Sequence, residues 1–137
     1  MEVTLAVTCD YANVSQEGKL NILGVFQELN AIGFPTVVPQ MYLVVSFEAG
    51  AAEFGTEKHI RIALLEADGS EVMAMEGPIA VQRPARPGST AYINQVLSLQ
   101  GITFAHPGDY AFHIVVGGET KRIVPLRVNE PAQAVEG

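Results

Sequence analysis

The chemistry open to this sequence begins with three histidines, His59, His106 and His113, because neutral imidazole serves as base or metal ligand near pH 7. None stands in a His-x-His or His-x-x-x-His spacing, and one cysteine, Cys9, leaves no Cys-x-x-Cys. A zinc or calcium site would need ligands from distant segments. Ser46, Ser70, Ser89 and Ser98 lie outside any Gly-x-Ser-x-Gly elbow. Gly117-Gly118 precedes a strand pattern, so it reads as a hairpin turn and not as a phosphate cradle at a helix N-terminus. Glu48, Glu66 and Glu76 each sit near a strand end, but a glycosidase pair is defined by carboxylate separation, which sequence does not give. The pattern points to a non-catalytic protein without metal or cofactor; a hydrolase built from distant groups is the remaining enzymatic reading.

Charge narrows the partners. The net charge is −7 and Lys and Arg form no cluster, which argues against nucleic acid and anionic membrane surfaces. Arg83 and Arg86 lie close together but between prolines, as in a solvated loop. No apolar run approaches the roughly 20 residues that cross a bilayer. Met1-Glu2-Val3-Thr4-Leu5 has an acid where a secretory signal carries base and leads straight into a strand pattern, so a cytoplasmic protein is expected. A lone Cys9 forms no intramolecular disulfide and reads as a small buried hydrophobe. With 137 residues, 48% of them apolar, one domain over 1–128 is expected, followed by a flexible tail over 129–137.

The elements that must position these groups are strands, because the dominant period is two. Val3, Leu5, Val7 and Cys9 alternate with Thr4, Ala6 and Thr8. Leu20 to Ile32 is apolar on both faces, as in a central strand, with Gly24 marking a bulge or close backbone approach. Met41, Leu43, Val45 and Phe47 alternate with Tyr42, Val44, Ser46 and Glu48. Ile60, Ile62 and Leu64 lead through Asp68-Gly69, a type I′ hairpin signal, to Val72 through Met75. Arg83 to Ser89 is a proline-rich loop between sheets or hairpins. Ile93, Leu97 and Leu99 share a face with Gln95, opposite Tyr92, Asn94, Val96 and Ser98. His106-Pro107-Gly108-Asp109 turns into Tyr110, Phe112, Ile114 and Val116. Val124, Leu126 and Val128 form the inward side of a last strand, which Pro125 marks as a sheet edge. The sum is an all-β, antiparallel two-sheet sandwich of about eight strands, immunoglobulin-like or jelly-roll-like.

The anomaly is apolar content on faces that alternation assigns to solvent: Tyr42, Val44, Ala63, Leu65, Ala111, His113 and Val115. If their strands are neighbours they form one patch, and a large exposed patch marks association. A protein-interaction or assembly module, associating with copies of itself, is the reading this supports, unless the loops Ala49 to Glu57 or Arg83 to Thr90 cover the patch. The alternative is a small-ligand or carbohydrate site at Tyr11, Tyr92, Asn94 and Gln95, weakened by the absence of tryptophan.

Four segments, Cys9-Asp10-Tyr11-Ala12-Asn13, Gly18 to Phe26, Pro39-Gln40-Met41-Tyr42-Leu43 and Pro107-Gly108-Asp109-Tyr110, resemble in their order a family of small uncharacterised bacterial proteins, over about Val3 to Val128. The resemblance implies a bacterial intracellular β-sandwich and brings no activity or catalytic residue. Pro107-Gly108-Asp109-Tyr110 with the following Gly-Gly hairpin is also similar to the last two strands of immunoglobulin-like modules.

Overall fold

Alternating β-branched and aromatic residues, punctuated by Gly and Pro, give nine strands among residues 1–131, which are those the computed structural model describes. They are β1 (Glu2–Val14), β2 (Leu20–Phe26), β3 (Glu28–Asn30), β4 (Thr36–Ala49), β5 (Glu57–Leu65), β6 (Glu71–Ala80), β7 (Ala91–Phe104), β8 (Gly108–Val116) and β9 (Glu119–Asn129). A 3-10 turn, Ala51–Glu53, joins β4 to β5. Asn129, expected to begin the tail, closes β9; residues 132–137 lie outside the described residues.

The strands form two sheets, in the orders β2-β1-β4-β7 and β3-β9-β8-β5-β6. The four-stranded sheet is antiparallel throughout. The five-stranded sheet is mixed, which corrects the all-antiparallel expectation: the chain leaves β2 and lays three residues parallel to β9, Glu28 opposite Arg127 and Asn30 opposite Asn129. The proline-rich segment after β6, expected between two sheets or hairpins, crosses from one sheet to the other.

One hydrophobic cluster draws on both sheets. Met41, Leu43, Val45 and Phe47 of β4 join Ile60, Ile62 and Leu64 of β5, Phe112 and Ile114 of β8, and Leu126 and Val128 of β9. Fully burying such a side chain contributes about 1.5–3 kcal/mol, so this cluster dominates the stability. Tyr110 anchors one end: its hydroxyl donates to the His106 carbonyl at 2.6 Å and its ring meets Phe104 edge-on, centroids 4.9 Å apart.

Local chemistry departs from the simple alternation at three places. A bulge between Val3 and Leu5 turns β1 over, so Val3 lies beside Phe47 and Ala6 beside Val45 on the core side, while Leu5, Val7 and Cys9 take the opposite face. The β5–β6 turn is not type I′, since Gly69 has φ 90° but Asp68 does not have positive φ; a longer loop forms, with Gly69 N–H donating to the Glu66 carbonyl at 2.9 Å. Pro125 lies on β9, an interior strand, but β3 reaches only Arg127 to Asn129, so Pro125 occupies the stretch that β3 leaves unpaired.

Candidate functional site

The free edges of the two sheets are built differently. β7 pairs with β4 over its whole length, from Thr36 opposite Phe104 to Ala49 opposite Ala91, and with no other strand among the described residues. Its 14 residues include no charged side chain and no proline. An edge strand presents unpaired N–H and C=O groups to any incoming strand, and edges are normally blunted by charge, proline or brevity. The other edge of the same sheet, β2, also lacks charge and proline, with Leu23 68% and Val25 50% exposed. The five-stranded sheet shows the usual guards: β6 carries Glu71, Glu76 and Pro78, and β3 is three residues long with Glu28 at its start.

Beside β7 the space between the sheets is incompletely filled. A cleft of about 220 Å³ opens between β6 and β7, lined by Phe47, Ile62, Met75, Ile79, Gln95 and Leu97. A neighbouring hollow of about 420 Å³ continues past Val72, Met73 and Leu99. Methionine tolerates irregular packing and suits a surface that adapts to an occupant.

The seven residues expected to form one apolar patch fall on two sheets. Tyr42 and Val44 belong to β4, whereas Ala63, Leu65, Ala111, His113 and Val115 belong to β5 and β8 of the other sheet, where Ala63 faces His113 and Leu65 faces Ala111. Two members are not surface at all: Val44 is fully buried and Ala63 is 3% exposed.

Neither loop that was expected to cover the patch lies over Val44. The β1–β2 hairpin does, and it is the feature that strand-by-strand reading misses. Cys9, Ala12 and Val44 form a second buried cluster, with Leu5, Leu20, Ile22 and Val96 packed against it. The hairpin reaches across the sheet, because Asn94 Nδ2 on β7 donates to the Gly18 carbonyl at 3.4 Å. Gly24 has φ 70°, and a Cβ there would meet the Asp10 carboxylate; the neighbour is a side chain and the β1–β2 register runs unbroken, so the glycine marks a left-handed residue in place of the expected bulge or close backbone approach. The strand that is apolar on both faces is therefore a folded-over edge and not a central strand.

The ligand candidates do not converge either. Gln95 lines the inter-sheet cleft while Tyr92 and Asn94 point to the opposite face. Asn94 is occupied: its Oδ1 accepts from Ser46 Oγ at 2.7 Å while its Nδ2 holds the hairpin. Tyr11 packs edge-on against Tyr42, centroids 5.3 Å apart, and Tyr92 is 71% exposed near the end of β7.

The histidines pair with carboxylates at the surface, while the Met1 amine meets Glu53 in a part-buried pair. His59 Nε2 lies 3.4 Å from Glu76 and His106 Nε2 lies 3.2 Å from Glu66; Arg61 also bonds Glu71. Burial pushes the Cys9 thiol above its ordinary range, which disfavours the nucleophilic thiolate. Burial likewise raises the Tyr110 phenol. Among the described residues, no three of His, Cys, Asp or Glu come together as metal ligands, and no helix is long and apolar enough to cross a membrane.

The profile of a family described as "Family of unknown function (DUF6941)" matches residues 4–129. None of the curated proteins matches the chain. Among solved structures, the chain is similar to the Pseudomonas fluorescens alkylpurine DNA glycosylase AlkC bound to DNA containing an abasic site analog, with 13% identity and a TM-score of 0.39. That match covers 90% of this chain and 30% of the glycosylase chain, and at this score the likeness carries no argument.

Proposed function

The chain belongs to DUF6941, a family of unknown function, so its role must be argued from its own geometry, and we propose a non-catalytic interaction module that assembles with copies of itself through its four-stranded sheet. The observation that carries this reading is β7: a 14-residue edge strand with neither charge nor proline. In a chain of net charge −7, an uncharged edge is where two copies approach with least repulsion. Strand addition then supplies main-chain hydrogen bonds along the edge, and the adjoining cleft supplies room for side chains.

In this reading the two sheets stack as a β-sandwich of immunoglobulin-like or jelly-roll-like kind, supported by a core drawn from both. The free, buried thiol of Cys9 accords with a reducing cytoplasmic setting. The interface moves from the residues expected on β5 and β8 to the β7 edge, since the expected patch is divided and partly buried.

Molar mass by size-exclusion chromatography with light scattering tests the proposal. The wild type should exceed the 14.7 kDa of one chain at high concentration, and Ser98→Lys, a charge on the exposed side of β7, should return it to one chain. A wild type that stays at one chain throughout would overturn it.

A further inference from the structure

We infer that the strand received by β7 is β2 of a second copy, so that assembly runs head to tail and is open-ended. The inference rests on the proposed use of the four-stranded sheet and adds which edges meet. Three observations carry it.

The first is polarity. In the order β2-β1-β4-β7 every neighbour is antiparallel, so β2 and β7 run in opposite directions. A second copy in the same orientation, moved along the sheet, sets its β2 antiparallel to β7 and continues the alternation.

The second is charge. Both edges of this sheet lack charged residues, whereas β6 and β3 carry Glu71, Glu76 and Glu28. Guards of charge and proline stand on one sheet only.

The third is side-chain placement. Val25 lies opposite Cys9, and Tyr92 and Val96 lie opposite Glu48 and Val44, which puts all three on the face of the sheet turned away from the main core. In the joined sheet, Val25 of one copy and the exposed Tyr92 of the next would share that face, as do the aromatic and β-branched cross-strand pairs that stabilise a ladder. The contact uses the Leu23 to Phe26 half of β2, because Leu20 and Ile22 are committed to the hairpin cluster. Four strand steps per copy give a rise of about 19 Å and a rotation of about 80–100°, a helical filament and not a closed dimer.

The test is complementation between two full-length variants, Val25→Lys to block β2 and Ser98→Lys to block β7, with molar mass as the readout. Both positions are exposed, and thermal melting checks that each variant folds; Leu23→Lys replaces Val25→Lys if it does not. The expected result is a wild type whose mass climbs past two chains with concentration, each variant alone at one chain, and an equimolar mixture that stops at two. A β2 variant that assembles like the wild type would overturn the head-to-tail inference and leave β7 pairing with β7. A mixture that stays at one chain would also overturn it. A monomeric wild type would overturn the underlying proposal instead.

Discussion

The carbonyl oxygen of Gly18, at the tip of the β1–β2 hairpin, accepts a hydrogen bond from Asn94 on β7, across the full width of the four-stranded sheet. That contact folds the hairpin over the sheet and closes it on Cys9, Ala12 and Val44. The fully buried thiol of Cys9 becomes an internal reporter of whether the hairpin is seated.

A thiol reagent should therefore react with Cys9 much more slowly in the native protein than in denaturant. Asn94→Ala should speed the native reaction a few-fold, since one hydrogen bond contributes about 1 kcal/mol net. Equal rates in native and denatured protein would contradict the seated hairpin.

Gly24→Ala should destabilise the fold by at least about 1–2 kcal/mol, the cost of left-handed backbone for an L-residue, with the overlap against Asp10 adding to it. Chemical denaturation reads this directly. A neutral substitution would mean that β2 does not require a positive φ there.

Ala63→Glu separates the two placements of the interface. Ala63 is almost wholly buried, so the charge should lower the melting temperature and not merely change the molar mass. Leu43→Ala, at the centre of the main cluster, should cost about 2–5 kcal/mol. A fully stable Ala63→Glu protein of reduced mass would restore the face of β5 and β8 as the interface.

Acid sensitivity follows from the turn after β5. The Ser70 backbone N–H donates to Asp68 Oδ1 at 2.8 Å, and this bond holds the Asp68 carboxyl below its ordinary range. A carboxyl depressed in the folded state stabilises fully above its unfolded value and loses that contribution as pH falls through the folded one. The melting-temperature gap between wild type and Asp68→Ala should be constant near neutrality and shrink below about pH 4. A gap independent of pH would contradict it.

Much of the fold is legible in the residues, because alternation is a local signal. Met41 to Phe47, Ile60 to Leu64 and Tyr110 to Val116 all place their core residues as period two requires. What alternation cannot carry is sheet order and covering. Leu20 to Phe26 is apolar on both faces whether a strand is central or folded over its own sheet, and only Gly24 hints at the second. The bulge at Val3 and Leu5 reverses a face without any Gly or Pro to announce it. The absence of charge between Ala91 and Phe104 is visible in the sequence, but its meaning depends on β7 being an edge, a long-range fact. The expected patch divides for the same reason, since Tyr42 and His113 share a parity but not a sheet, while Ala63, Leu65, Ala111, His113 and Val115 stay together on β5 and β8.

Amide hydrogen exchange across β7, measured at low and high protein concentration, tests the association most directly. Strand addition predicts that amides within Ala91–Phe104 gain protection as concentration rises, while those of β6, at the guarded edge, do not. Exchange in β7 that is the same at every concentration, or protection that appears in β6 instead, would contradict the account.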